Sequence, residues 1–358
     1  MNDKYELISD DTIQIQDNMM MRTLYRIRAL VEISEDVHVD DIGGYIEGEW
    51  NLSDEGSAWV ADNAQVYGNA QVVGNALVSD QAKVYGDAVI AAYASIHDQA
   101  EVYGSARISG EGMVFGQAKV YGVAEVSMRA AVGGMAQVYD NAVIFGTSEI
   151  NDNARIYGNA QIHQESSVVD NGQIYGNTEL WAGHVSGFGR MFESAILVGG
   201  AISGSASVYG NARIQHASVI ESAAVYDNAR VFSQSVISGN ARVFGNAYIS
   251  DRAEVVGFSR VFDQAKISDS SRVLDRAWVY GSAIVRDKSS VQGVAKVYDF
   301  AQIIGASVVN NDAEIYGNAI VSEGAIIVDN SRVYGNAIIS GHAKIGGNVQ
   351  VSNNEFDS

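Results

Sequence analysis

Aromatic residues recur every 18 positions along most of this chain. They begin at Tyr67, break step after Tyr175, and return with the same spacing from Tyr226 to Tyr334, with Phe192 and Tyr209 between the two series. A long fixed period is typical of repeat proteins, in which each unit packs only on its neighbours. The spacing therefore predicts one supersecondary unit copied along a single axis, and it constrains shape more than activity.

A second period of six lies inside each 18-residue unit. Aliphatic residues occupy Val66, Val72, Val78 and every sixth position onward to Leu180, and a small residue stands two places before almost every one. Residues two apart on an extended chain face the same side, so both point into one interior. Gly, Asp or Asn follows where the chain must turn, because these residues tolerate the backbone of a tight corner. The pattern predicts an all-β fold in which three strands and three corners close one triangular coil.

The hexapeptide pattern resembles that of left-handed parallel β-helix proteins over residues 58–351. The left hand is implied by this resemblance. The segments TLYRIRAL, DDIGGYIE and NLSDEGSAWV, which lead into NAQVYGNAQV, are similar to the start of the bacterial YdcK family and related prophage hexapeptide-repeat proteins. That family is regarded as acyltransferase-like by fold and has no established activity. The resemblance thus implies a shape and a bacterial or phage origin. It supplies no catalytic residues that could be assigned to this chain.

Composition and patterning predict how the chain is organised. Residues 1–21 are acidic and predict a loosely held arm; residues 22–57 predict a cap on the open end of the first coil. Residues 58–351 predict a single β-helix, and residues 352–358 a tail. Proline is absent, in line with a ladder in which every N–H donates, and the absence of cysteine excludes disulfides and thiol nucleophiles. We find no signal peptide and no apolar run of membrane length, so we expect a cytoplasmic protein.

The middle of the chain departs from the period of six. Three consecutive coils, of 17 residues each, lose one residue on the same side, at the steps Leu180 to Val185, Leu197 to Ile202 and Ile214 to Val219. Two interpretations stay open, neutral drift in a tolerant repeat and a shallow notch or bend that a partner recognises. The residues of this predicted midpoint notch are Gly183, His184, Gly199, Gly200, His216 and Ala217.

The 18-residue aromatic series predicts a stacked tyrosine ladder on one outer face, because each ring follows an interior aliphatic residue. Its members are Tyr67, Tyr85, Tyr103, Tyr121, Tyr139, Tyr157, Tyr175, Phe192, Tyr209, Tyr226, Phe244, Phe262, Tyr280, Tyr298, Tyr316 and Tyr334. A cationic stripe is predicted beside it from Lys83, Lys119, Arg155, Arg190, Arg242, Arg260, Lys296 and Arg332. The ladder either stabilises the coils from within or serves as a surface for self-association or a partner.

Enzymatic functions find little support in the sequence. The hexapeptide register leaves no room for a long loop, the six histidines are scattered, and no glycine-rich phosphate loop opens a helix. We therefore predict no catalytic residues, no metal site and no cofactor. We expect a non-catalytic scaffold or interaction rod that forms a homo-oligomer, a dimer or a trimer, and that binds an unknown protein partner.

Two alternatives remain beside the scaffold. One is an acyltransferase-like enzyme with its site between protomers. The other is an acidic mimic of nucleic acid, which the net charge of −20 favours and the cationic stripe weakens. Direct binding of nucleic acid is disfavoured, because the acidic remainder would repel phosphate.

Overall fold

The computed structural model describes residues 3–353, 355 and 356. The remaining residues at the ends of the predicted arm and tail, 1, 2, 354, 357 and 358, lie outside the described residues. The chain divides into two compact units, Met1–Asn177 and Thr178–Ser358. Each unit is a parallel β-solenoid, and the 3-10 turn Glu49–Asn51 is the one helical element among the described residues. The predicted all-β fold is confirmed.

Three strands alternate along each coil and each strand pairs with its counterpart one coil away, as Gln65–Val66 does with Lys83–Val84. The face of the coils that carries the ladder rings is called the tyrosine face. Its strands are Ile42–Ile46, Gln65–Val66, Lys83–Val84, Glu101–Val102, Lys119–Val120, Gln137–Val138, Arg155–Gly158 and Gln173–Gly176 in the first unit, and Arg190–Met191, Ser207–Val208, Ala224–Val225, Arg242–Val243, Arg260–Val261, Trp278–Val279, Lys296–Val297, Glu314–Ile315, Arg332–Tyr334 and Gln350–Ser352 in the second.

The second face follows the tyrosine face in chain order. Its strands are Gln71–Val72, Val89–Ile90, Arg107–Ile108, Glu125–Val126, Val143–Ile144 and Gln161–His163 in the first unit, and Glu179–Trp181, Arg230–Phe232, Tyr248–Ile249, Lys266–Ile267, Ile284–Val285, Gln302–Ile303, Ile320–Val321, Ile338–Ile339 and Glu355–Phe356 in the second.

The third face completes the coil. Its strands are Trp59–Val60, Leu77–Val78, Ser95–Ile96, Met113–Val114, Ala131–Val132, Glu149–Ile150 and Ser167–Val168 in the first unit, and His184–Val185, Val236–Ile237, Glu254–Val255, Arg272–Val273, Ser290–Val291, Val308–Val309, Ile326–Ile327 and Lys344–Ile345 in the second. Two longer strands, Ile196–Ile202 and Arg213–Val219, run through both the second and the third face.

The interior is as the six-residue period predicts. Val66, Val120 and the other aliphatic residues of the series are fully buried, and so are the small residues two places before them. At several positions where serine replaces alanine, its hydroxyl donates to a nearby carbonyl; Ser271 Oγ donates to Ser268 O at 2.6 Å. Several interior hydroxyls are thus satisfied locally, whereas Thr178 Oγ1 and Ser289 Oγ have no hydrogen-bond partner among the described residues.

Corner aspartates have a structural role. Asp62, Asp80 and Asp98 lie one coil apart with φ near +60°, in the left-handed region. The Oδ2 atom of Asp62 accepts a hydrogen bond from Asp80 N at 3.1 Å, and Asp80 Oδ2 accepts one from Asp98 N at 3.1 Å. Each carboxylate thus ties its corner to the next coil, which agrees with the predicted role of aspartate in the turns.

A β-hairpin precedes the coils. Strands β1 (Tyr5–Asp17) and β2 (Met20–Ala29) pair antiparallel, β2 pairs with β3 (Ile42–Ile46), and β3 pairs in parallel with Gln65–Val66. Residues 5–17 are therefore held in a sheet, and the expected loosely held arm is corrected for this segment. The alternation of Ile13 and Ile15 with exposed glutamines is the half-buried strand pattern that produces this pairing.

Lys4 and Tyr5 anchor the start of the hairpin to the first coil. The Lys4 Nζ atom donates to the carbonyl oxygens of Ser53 and Ala58 at 2.9 and 2.8 Å, and Tyr5 Oη donates to Leu52 O at 2.7 Å. Burial lowers the pKa of Lys4 to about 8. These contacts provide hydrogen-bond donors to carbonyl oxygens of the first coil, because no preceding coil supplies N–H donors to them.

Candidate interaction surfaces

The predicted tyrosine ladder is present in both units. From Tyr67 to Tyr175, neighbouring rings stack with centroids 4.7–5.0 Å apart and planes within 4° of parallel. From Phe192 to Tyr334, the corresponding distances are 4.7–5.1 Å and the planes lie within 6°. Every ring beyond Tyr67 is half-buried, so each ring face is covered by its neighbours while the outer edges lie at the surface.

The N-terminal hairpin covers the first rungs of the ladder. Leu24, Tyr45 and Tyr67 form a buried cluster, and Ile13 and Ile15 pack against it. Burial, with a smaller contribution from Asp17, raises the pKa of Tyr67 to about 12. This cover was not predicted from the sequence, although the alternating pattern of β1 carries the signal.

A pair of ion pairs fixes the hairpin near this cover. Arg22 binds Asp17 at 2.7 Å and Glu47 at 2.9 Å, and Glu47 Oε2 accepts a hydrogen bond from Gly68 N at 2.7 Å. The Asp17 and Glu47 carboxylates raise the pKa of the Arg22 guanidinium. The hairpin thus shows one kind of segment that packs on the ladder. It is a strand that presents aliphatic side chains to the rings and has charged residues at its margin.

Acidic residues interrupt the predicted cationic stripe, because they occupy the same strand position in neighbouring coils. Glu101 lies between Lys83 and Lys119 in the strand register and binds Lys119 at 3.3 Å. Glu314 lies next to Lys296 and Arg332 and binds both, at 3.1 and 3.3 Å. The stripe is therefore a set of separate cations and acid–base pairs, which corrects the image of a continuous positive band.

The other predicted cations have varied surroundings. Arg242 and Arg260 are adjacent in register, and the Arg260 guanidinium lies 4.9 Å from the ring centroid of Trp278. Lys83, Arg155 and Arg190 have no salt bridge among the residues that the structure describes, and all three are exposed. Isolated cations of this kind contribute little to the binding of a polyanion.

At the midpoint notch the pairing between coils continues around a corner. In the coils that contain Gly199, Gly200 and Ala217, the strands Ile196–Ile202 and Arg213–Val219 run through the corner and pair with each other. Gly199 and Gly200 have φ values of 63° and 82°, and the buried Gly183 packs where a Cβ would lie 2.6 Å from Leu180 Cδ1. The five-residue side thus keeps a left-handed corner, but one short enough for the strand pairing to continue through it.

The structure separates the two histidines predicted at the notch. His184 lies opposite Ala201 in the third face, whereas His216 lies at the corner, above Gly199. His216 borders an open groove of about 490 Å³ together with Gln234, Arg252 and Ser270. The predicted notch residues therefore do not form one site, although His216 does line a surface groove.

Histidine and carboxylate groups converge at one further place. Ligand atoms of Asp80, His97 and Asp98 lie within 4.8 Å of one another. The carboxylates of Asp80 and Asp98 already accept hydrogen bonds from Asp98 N and Gly116 N, and His97 stacks on Phe115 with centroids 5.5 Å apart. This group belongs to the corner ladder; Asp80 and Asp98 stand at the 18-residue spacing, and His97 directly precedes Asp98.

Two units built from stacked three-strand coils, with repeated corners and a tyrosine ladder, define the class of β-solenoid repeat proteins. Within that class, the family model described as the YdcK beta-solenoid repeat matches residues 64–80 and 206–222. The chain is thus similar to the YdcK repeat in each unit, which confirms the predicted resemblance. No curated protein matches the chain significantly. In the described part of the chain, no helix has the length and apolarity needed to cross a membrane.

Proposed function

We propose that this protein is a non-catalytic β-solenoid scaffold that self-associates through its tyrosine face. The observation that carries this proposal is the ladder itself. Its ring edges recur once per coil at 4.7–5.0 Å in the first unit, so two copies of the face offer matching contacts at every rung. Repetition of this kind lets many weak contacts add along a long interface.

The regular backbone supports a scaffold over an enzyme. Between residues 58 and 352, no connection between consecutive strands is longer than four residues. Acyl-transfer chemistry needs a base positioned in a sheltered site, and protruding loops usually build such a site. Within these residues the exposed histidines, His184, His216 and His342, lie in strands or corners of the coils.

Self-association also has a physical rationale in the hairpin. Ile13 and Ile15 already pack within one chain against the buried cluster that contains Tyr67. The rungs from Tyr103 onward in the first unit carry no such cover in the described structure, and they remain half-buried. A second copy that brings its own ladder to these rungs would remove more apolar ring surface from water.

The experiment compares two triple variants of the full chain. Tyr121, Tyr139 and Tyr157 are changed together to Ser, which removes three stacked rungs and leaves the interior intact. The matched control changes Met113, Ala131 and Glu149 to Ser, because these three residues are also adjacent in register but lie on the third face.

Sedimentation velocity over a dilution series measures the outcome. We expect the tyrosine variant to dissociate at higher concentration than the parent and the control to sediment like the parent. Equal sedimentation of all three proteins would contradict self-association through this face, provided that circular dichroism shows each variant to be folded.

A further inference from the structure

Trp50 is an exposed aromatic side chain that is held rigidly. Its indole is 60% exposed, and its Nε1 atom donates a hydrogen bond to Gly68 O at 2.8 Å. The ring also lies against Gly48, where a Cβ atom would clash with the indole. One edge and one face of the ring are therefore fixed by the protein, while the rest is presented to solvent.

The hydrogen bond alone does not require an indole. Asn51 Nδ2 already donates to Gly68 O at 3.1 Å and to Ala70 O at 2.8 Å. A short amide side chain at position 50 would supply the second donor without exposing so much apolar area. A large, rigid and exposed aromatic side chain is instead a feature of binding sites.

Trp50 lies between two polar clefts of the first unit. The first cleft has a volume of about 440 Å³ and is bordered by Asn18, Asn69, Asp87 and the ladder residue Tyr85. The second has a volume of about 340 Å³ and is bordered by Glu49, Ser53, Asp54 and Gln71. The indole lines both clefts, so a ligand that crosses it would reach polar groups on either side.

The chemistry of the clefts favours a neutral ligand that is rich in hydroxyl groups. The one cation in the first cleft, Arg22, is already paired with Asp17 and Glu47, so an anion gains no free positive charge there. Amide and carboxylate side chains offer acceptors for hydroxyl donors, and the amides also donate. A flat aromatic face suits the apolar C–H face of a sugar ring.

We infer that Trp50 and its two flanking clefts form an oligosaccharide-binding site. One pyranose ring stacks on the indole, and the hydroxyl groups of the neighbouring sugars bind Asn69 and Asp87 in one cleft and Gln71 in the other. This site lies at the N-terminal end of the coils, where the first cleft meets the tyrosine face at Tyr85.

The test uses the full chain and a panel of neutral oligosaccharides, namely maltohexaose, cellohexaose, chitohexaose, xylohexaose and mannohexaose. Binding is measured by titration calorimetry and by quenching of tryptophan fluorescence. Of the four tryptophans, Trp59 is buried and Trp181 and Trp278 are half-buried and line neither cleft, so a fluorescence change that is lost in Trp50→Gln reports on Trp50. We expect at least one sugar to bind with a Kd of about 1 mM or tighter.

Two variants separate the role of the ring from its role in folding. Trp50→Gln keeps a side-chain donor for Gly68 O and removes the stacking face, and we expect it to weaken binding by roughly tenfold or more. Trp278→Gln, in the second unit, is the matched control and should bind like the parent. Both variants are first compared with the parent by thermal melting.

Three results would overturn the inference. They are the absence of binding by every sugar in the panel, binding that Trp50→Gln does not weaken in a folded protein, and binding of spermidine at this site in place of any sugar. The last result would show that the carboxylates select an organic cation on the indole.

Discussion

Gly200 lies so close to Ala217, its partner in the pairing of Ile196–Ile202 with Arg213–Val219, that a side chain at position 200 would overlap the backbone of Ala217. A Cβ atom on Gly200 would overlap the carbonyl oxygen of Ala217 and lie 2.8 Å from its amide nitrogen. Gly200 also has a φ of 82°, which L-residues rarely adopt. The shortened corner at the notch therefore depends on glycine for two separate reasons.

These two reasons can be separated by substitution. Gly347→Ala introduces a side chain at a φ of 73° where no atom lies within 4 Å, so it should cost about 1–2 kcal/mol of unfolding free energy from backbone strain alone. Gly200→Ala adds overlap with backbone, and we expect it to cost about 1–3 kcal/mol more than the control. Denaturant titrations of both variants measure the difference. Equal losses would show that the chain relaxes at the notch without cost.

The interior positions lead to a second prediction. Val120 is fully buried, and its neighbours in the coil are aliphatic. Val120→Asp would place a carboxylate in a dry core without a partner, and we expect it to destabilise the first unit by about 3–5 kcal/mol. Gln117→Asp, at an exposed corner of the same coil, is the control and should melt close to the parent. A Val120→Asp protein that melts like the control would mean that the interior is assigned wrongly.

The tyrosine ladder predicts a loss of stability at alkaline pH. Burial raises the pKa of Tyr67 and of Tyr298 to about 12, from 10.0, and it raises the pKa of Tyr85 as well. Above pH 10 the unfolded chain loses these phenolic protons while the folded chain keeps them. The free energy of unfolding should therefore fall as the pH rises from about 10 towards 12.

Thermal melting between neutral pH and pH 12 measures this loss, and tyrosinate absorbance reports the ionisation. Tyr67→Phe removes one of the shifted groups, so its melting temperature should fall less steeply above pH 10 than that of the parent. If the two slopes agree, the buried hydroxyl of Tyr67 does not titrate with unfolding.

The sequence predicts the repeated parts of this protein well because their physical causes are local. Val66 and Ala64 face inward, Asp80 takes a left-handed corner, and Tyr121 stacks on Tyr139 at 4.9 Å, all as the periods of six and 18 require. Each position inherits its environment from the residue one coil away, so one correctly read coil predicts most of the others.

The features missed from the sequence arise where the repeat is absent or was read incompletely. The pairing of Ile13 and Ile15 over Tyr67 joins segments far apart in the chain, and no period links them. Glu101, by contrast, stands at the 18-residue spacing from Lys83 and Lys119. The sequence therefore does contain the signal that an acidic residue interrupts the cationic stripe. Trp50 precedes the first regular coil, so no period in the sequence marks it as a candidate site residue.

The absence of cysteine from the chain makes the central claim, self-association through the tyrosine face, directly measurable. Single cysteines are introduced along the ladder as Tyr103→Cys, Tyr121→Cys, Tyr139→Cys and Tyr157→Cys, and along the third face as Met113→Cys, Ala131→Cys and Glu149→Cys. Disulfide formation between copies under mild oxidation is then followed at one protein concentration.

We predict that at least one ladder cysteine forms an intermolecular disulfide much faster than any cysteine of the third face, because two ladders lie against each other in the assembly. If ladder cysteines remain monomeric while the third face cross-links, or if both columns react equally slowly, the tyrosine face does not mediate self-association.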